Sequence, residues 1–533
     1  MNERPNVLLL AATLTASACY SGSDGSEPPL TRFYYPTGLA VSDDAAHLYV
    51  VNSDFDLRYT GGTVQSIELE RLRTFVPRDC TDDAECAAGQ RCDRSGSSTR
   101  PPSFRCVSSK GPHAGQPCGY LGDASAAEQL LRPGQCSYLD PARPQDGSPS
   151  LYVDSVKISA FGTDVLYRPR PAELDVSGES AAGRLFVPVR GDATLHWLDV
   201  NDDGLLDCGQ HSGGECDSRH RAGDQPDAEN TRGLRLPSEP FAIEATADGE
   251  AVVVTHQTQG ALSLFVNDWR SSVGPRLEYV VSGLPRSPSG VAALPEPVGD
   301  SEATAPAFLV DFRSAAELRL FRYFSDEAAN PARPFLQQVG SVGIGVNADG
   351  EDSRGIAVDG SQRRACETRC AEDAMCVAEC GAVPLRVFIA NRSPSSLLIG
   401  TIPVRDGVMR LPVITDSIPV PYGPSRVFVG SVIDTSGKLA TRVFLVCFDS
   451  RRIGVFDPEV GVIETWIVTG RGPHAVALDV GPPGSTEPEY ALAYVGHFTD
   501  SYVGVVQLDQ RQRRTFGKMV VTVGKPEAPR SSK

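Results

Sequence analysis

A short apolar run recurs along the chain. It appears at Leu48–Ser53, Leu185–Val189, Val252–His256, Phe308–Phe312, Val387–Asn391, Phe444–Phe448 and Ala493–His497. The runs are rich in Val, Phe and Leu and too short for a buried helix, so they read as β-strands buried on both faces. A weaker strand precedes each one: Tyr35–Ser42, Ser155–Phe161, Pro240–Ala245, Ser289–Leu294, Arg354–Val358, Arg426–Gly430 and Pro473–Asp479. A third follows, as in Leu262–Phe265 and Ile453–Phe456. The underlying period is about 50 residues, the length of four strands and their turns.

Such a unit cannot bury its own two faces, so the units must stack on one another. Stacking around an axis leaves only short, protected edges. The pattern therefore predicts an all-β, seven-bladed β-propeller over residues 33–523. In the first copy, Tyr35-Pro36-Thr37-Gly38-Leu39-Ala40-Val41-Ser42 and then Leu48-Tyr49-Val50-Val51-Asn52-Ser53 resemble the YVTN-type propeller repeat. That resemblance implies the fold. It does not carry a function, because such propellers include lactonases, redox-enzyme subunits and adhesive surface proteins.

Longer gaps hold insertions, and the insertions hold most of the fourteen cysteines. A cysteine-rich insertion is expected at 73–149 in blade one, with Cys80, Cys86, Cys92, Cys106, Cys118 and Cys136. Its segment Asp79–Cys86 followed by Gly89-Gln90-Arg91-Cys92 resembles EGF-like or Dickkopf-like modules. Cys208 and Cys216 form a local pair in the loop 200–232 of blade two. Cys366, Cys370, Cys376 and Cys380 resemble a twin C-x-x-x-C hairpin over 361–384, since cysteines four apart share a helix face. Even local groups in an exported chain read as disulfides, which leaves Cys447 as a buried free thiol. Strand polarity places all three insertions on one face of the disc, the bottom. The start of each first strand and the end of each second strand then share the other face, the top.

The first residues read as an address. Val7–Leu14 is apolar, and Ala16-Ser17-Ala18 precede Cys19, as in the lipobox of bacterial lipoproteins. This gives a signal peptide over 1–18, a lipid on Cys19 and a flexible tether over 19–32. The chain is then exported and held by its lipid to a membrane, the outer membrane by preference because Tyr20 is not the Asp of inner-membrane retention, facing periplasm or cell surface. A net charge of −17 argues against nucleic acid as a partner.

Asp199-Val200-Asn201-Asp202-Asp203-Gly204-Leu205-Leu206-Asp207 resembles the calcium loop of integrin-type propellers. Alternate oxygens in a tight turn suit Ca²⁺, so Asp199, Asn201, Asp203, Asp207 and the Leu205 carbonyl are the expected structural ligands. On the top, Arg354, Arg426 and His474 begin first strands, and Arg190, His256, Arg313, Arg392 and His497 end second strands. Such a group suits an anionic small molecule, or else pairs with carboxylates between blades. G-x-S-x-G, H-E-x-x-H and P-loop signatures are absent from the sequence, and no catalytic residue is assigned. The expected function is a non-enzymatic binding or scaffold protein of the bacterial envelope that holds an unknown protein or an anionic small molecule. The alternative is a lactonase-like hydrolase working at the Arg/His rim.

Overall fold

The computed structural model describes residues 25–86, 90–94, 104, 106–108, 138–144, 147–172, 181–209, 214–223, 233–270, 272–295, 305–325, 334–345, 351–370, 373–405, 407–482 and 488–527. It is a seven-bladed all-β propeller of seven separate antiparallel sheets. Blade one is Pro36–Val41, His47–Asn52, Gly62–Glu68 and Tyr152–Ile158, numbered from the channel outward. Blades three, four, six and seven repeat this order with first strands at Pro240–Ala245, Pro288–Ala293, Pro424–Ile433 and Pro473–Asp479. Blade five begins with Glu351–Asp359, and a small two-stranded ribbon interrupts it before its outer strand Val413–Pro419.

The repeat is visible in local chemistry. Five first strands open on proline, and in each of them the pairing with the second strand shifts just after that residue. Proline cannot donate to a ladder and is tolerated at a strand's first residue, where a bulge absorbs the irregularity. First strands also approach one another closely around the channel. A Cβ on Gly38 would lie 2.7 Å from the Asp164 backbone, and one on Gly290 would lie 3.0 Å from Gly355. Glycine at these two places is what lets the inner strands converge.

Second strands such as Ala251–His256 and Leu492–His497 are buried along their whole length. Outer strands are not: Val413, Val462 and Val468 are exposed. Apolar packing is therefore radial, and each of the seven seams between neighbouring blades has its own cluster of buried residues. The seam between blades seven and one is among them, with Val50 and Ile67 packed near Val503 and Val523. Among the described residues the ring is closed without exchanging a strand, because each blade's sheet follows the chain in order.

Two details depart from the sequence reading. The run Ser155–Phe161 is not the first strand of blade two; Tyr152–Ile158 is the outer strand of blade one. The first strand of blade two is the four-residue Leu166–Pro169. In that blade the loop after the third strand leads to no separate fourth strand among the described residues. It supplies the outer edge itself, as Leu206–Asp207 and Arg221–Ala222, both paired with Thr194–Val200.

The insertions sit as follows. Helices Ser361–Cys370 and Ala374–Cys380 lie between the first and second strands of blade five, joined by Cys366–Cys380 and Cys370–Cys376. In blade one, Cys80–Cys92 and Cys86–Cys106 staple a small ribbon of Gln90–Cys92 and Cys106–Ser108. Its far end returns along blade seven: Leu139 donates to the Thr522 carbonyl at 2.7 Å and accepts from Gly524 N–H at 2.8 Å. Arg73 binds Asp479 at 2.9 Å and lies over the Tyr490 ring, so the insertion spans the seam where the two ends of the chain meet. Cys118, Cys136 and Cys19 lie outside the described residues. Residues 25–32, expected within the flexible tether, are held to blade one: Ser26 pairs with Tyr59, and the Leu30 carbonyl accepts from Gln65 and Ser155.

Candidate functional site

The top of the channel collects the loops that follow second strands. Each expected cationic residue lies there, and each arginine among them already has a carboxylate. Arg190 donates to Glu239 at 2.7 Å. Arg313 and Arg354 share Asp352, at 3.4 and 2.5 Å. Arg392 of blade five pairs with Asp449 of blade six. Arg426 extends from blade six to Asp164 at 3.0 Å, and Asp164 stands at the entrance to blade two. Blades seven and one lie between those two, so this ion pair bolts the channel across its lumen. The bolt also meets the Thr163 carbonyl at 3.4 Å.

The histidines divide. His256 is fully buried, with Ser263 Oγ at 2.8 Å and the Ser238 carbonyl at 3.2 Å, and burial pulls it down to about 4. His497 is also buried. It accepts from Gly470 N–H at 3.2 Å, stacks on Tyr502, and is pulled by burial down to about 3. Both are neutral core residues of the rim. His474 differs: it is only partly covered, it has no hydrogen-bond partner among the described residues, and burial next to Arg426 holds it well below the ordinary histidine range.

What sequence reading missed is the aromatic collar around this mouth. Phe55, Phe161, Phe241, Phe448, Phe498 and His474 wall a cavity of about 180 Å³ above the Arg426–Asp164 bolt. Phe55 meets Phe161 and Phe498 edge-on, with ring centres 6.1 and 5.2 Å away, and Phe448 and His474 continue the collar. Below the bolt, the first strands of all seven blades line a separate lumen of about 420 Å³. A weak signal was present in the sequence: Phe55, Phe448 and Phe498 all fall in the turn after a second strand, in Ser53-Asp54-Phe55, Phe448-Asp449 and Phe498-Thr499-Asp500.

The expected calcium loop is shaped by other forces. Asp199 lies directly opposite Arg184 in the hairpin of blade two and accepts from its Nε at 2.7 Å. Asn201 accepts from Leu205 N–H at 2.9 Å, Asp207 accepts from Gly209 N–H at 2.9 Å, and Gly204 supplies the left-handed turn with φ +76°. Among the described residues, the only groups of three His, Cys, Asp or Glu side chains close enough to share a cation are cysteines already in disulfides. The carboxylates of Asp199, Asp203 and Asp207 do not converge, and the first of them is neutralised by a guanidinium. The donor set as arranged does not fit Ca²⁺. Cys208–Cys216 closes the loop as a disulfide, and Cys447 is free and buried, its thiol pushed up to about 12 by burial.

No protein-family model matches the chain, and no curated protein matches it. Solved structures resemble it at low identity. A 6-phosphogluconolactonase-like protein from Bacteroides uniformis is 13% identical, with 82% of this chain and 86% of that one covered and a TM-score of 0.43. The periplasmic gluconolactonase of Pseudomonas aeruginosa is 12% identical over 82% and 86%, with a TM-score of 0.42. Hydrazine synthase of Kuenenia stuttgartiensis is 10% identical over 92% and 99%, with a TM-score of 0.44. Likenesses at this level carry no information about activity.

Proposed function

We propose that this chain is an exported propeller, anchored through a lipid on Cys19, that acts as a non-enzymatic binding or scaffold protein of the bacterial envelope. The observation that carries the reading is the state of the top-face cations. Hydrolysis of an anionic sugar lactone at this rim would call for cationic groups free to meet the developing charge. Arg190, Arg313, Arg354, Arg392 and Arg426 each already face a carboxylate within ion-pair distance. His256 and His497 are enclosed and neutral. These five guanidiniums meet four carboxylates, because Arg313 and Arg354 share Asp352; such pairing stiffens the disc, and a stiff disc with a small apolar cup at its centre suits binding.

The deciding experiment offers the purified mature protein gluconolactone and 6-phosphogluconolactone and follows ring opening against the buffer rate. We expect no acceleration. Turnover that disappears in Arg354→Ala or Arg426→Ala would replace the binding reading with the hydrolase.

A further inference from the structure

We infer that the collar at the channel mouth is a binding site for a single neutral aromatic ring carrying one hydrogen-bonding group, of the phenol class. The inference rests on the binding reading above and gives it a ligand chemistry. Four observations converge on it. First, the size: an apolar cavity of about 150 Å³ is enough to take up benzene, and this one holds about 180 Å³. It is too small for a drug-sized or polymeric ligand to enter whole.

Second, the walls. Five phenylalanines from blades one, three, six and seven and the blade one–two connection meet around one point. Neighbouring rings already sit 5.2 to 6.5 Å apart in tilted and edge-on arrangements. A ring placed among them finds the same offsets, because the edge of one aromatic group is attracted to the face of the next. Aliphatic groups of equal size lack that attraction.

Third, the polar handle. His474 stands in the wall with no hydrogen-bond partner among the described residues, and it faces Phe448 and Phe498 at ring distances of 6.4 and 6.2 Å. A neutral imidazole offers one donor and one acceptor. An O–H or N–H on the guest ring is the complement it lacks. Fourth, the charge balance. Arg190 faces Glu239 and Arg426 faces Asp164, so neither an anion nor a cation finds an unpaired counter-charge at the cup. That selects a neutral guest, and it separates this site from the anionic ligand the arginine rim first suggested.

The same chemistry comes from two sources: a free phenolic compound, or a tyrosine side chain presented by a partner protein. The test is calorimetric titration of the full mature chain with phenol, toluene and benzoate, alongside a capped tyrosine amide. We expect phenol to bind, toluene at least fivefold more weakly, and benzoate at least tenfold more weakly. Phe55→Ala should weaken phenol at least fivefold. Phe55 is 53% exposed, so its removal leaves the fold intact. His474→Phe should remove the preference for phenol over toluene while leaving toluene bound. Tyrosine amide binding tenfold or more above phenol points to a partner's side chain; equal or weaker binding points to a free compound. No phenol binding at 10 mM, on the order of the weakest specific affinities, overturns the inference. So does binding that Phe55→Ala leaves unchanged. Neither result touches the lactone assay, so the two readings fail separately.

Discussion

Arg184→Met is the most demanding test of how this propeller is held together. Arg184 is fully buried between the rings of Trp197 and Trp269, 4.3 and 5.5 Å from its guanidinium carbon. It donates to Asp199 at 2.7 Å, to Asn267 at 2.6 Å and to the Asp268 carbonyl at 2.6 Å, so it ties blade two to blade three. Methionine fills much of the same space and makes none of these bonds. Breaking one side of a buried ion pair costs about 3–5 kcal/mol, because the remaining charge is left in low dielectric. Two further acceptors lose their donor at about 1 kcal/mol each. The expected loss is therefore about 5–7 kcal/mol. A chain of this length has an unfolding entropy near 1 kcal/mol/K if it melts as one unit, so the melting temperature should fall by roughly 5–7 °C. Arg184→Met with Asp199→Asn should recover about half of the loss, since the stranded charge is gone. The assay is a thermal melt of the four proteins in a double-mutant cycle. The same geometry bears on the calcium question: with Asp199 held by Arg184 and the three carboxylates apart, millimolar Ca²⁺ should leave the melting point of the wild type unmoved. A wild-type stabilisation by Ca²⁺ that Asp203→Ala abolishes would refute the reasoning, as would a single variant as stable as the double.

Three other outcomes are expected. Asp54 is buried at the top of blade one and pushed up to about 7 by that burial, so the folded chain holds a proton that the unfolded chain releases near pH 4. Stability contributed by this group is therefore lost as pH rises from about 4 to 7, and Asp54→Asn should stabilise at pH 8 while leaving melts at pH 4 unchanged. Leu139→Asp puts a charge into the seam between blades one and seven, where Leu139 is 4% exposed. It should cost about 3 kcal/mol or more and speed amide exchange in Met519–Val523 ahead of the other outer strands. Cys19→Ser should abolish palmitate incorporation and move the protein from the detergent phase to the aqueous one.

The propeller was legible because its strongest signal is local. All seven second strands are runs of apolar residues buried on both faces, and every one lies where the pattern puts it. The error in blade two has a physical cause. Ser155-Val156-Lys157-Ile158 alternates as well as any first strand, whereas the true one, Leu166-Tyr167-Arg168-Pro169, is four residues long and only partly buried. Local patterning cannot say which neighbour a strand joins. The collar was illegible for a related reason: Phe55 and Phe498 are separated by nearly the whole chain, and only ring closure brings them to 5.2 Å. Arg184 and Asp199 were nearer to view. The hairpin with its turn at Arg190–Ala193 sets residue 184 opposite residue 199, so counting back from the turn would have shown the acidic loop losing its first ligand.

The two faces of the disc divide the work. The bottom and the rim of blade one carry the cysteine insertion that crosses to blade seven, and through Arg73, Leu139 and Asp79 it clamps the seam between the chain's two ends. With no strand exchanged among the described residues, the ring depends on side-chain and backbone contacts at that seam, which gives the insertion a mechanical reason to be stapled by Cys80–Cys92 and Cys86–Cys106. The top carries the collar, and residues 25–27 reach it at the outer edge of blade one, where Ser26 pairs with Tyr59 and Glu27 with Lys157. With Cys19 as the anchor proposed above, the six residues from there to Gly25 span at most about 20 Å. The collar would then face the bilayer across a narrow gap, and the insertion would face away. A guest for the collar would come from that gap, which favours a compound partitioning near the membrane or a tyrosine on a neighbouring membrane protein over a soluble polymer. Lengthening the tether by a flexible stretch of roughly 20 residues raises its mean reach from about 13 Å to about 28 Å and should leave phenol affinity in solution untouched. Any capture of a membrane-borne tyrosine should fall with it, because that capture draws on the local concentration the short tether creates.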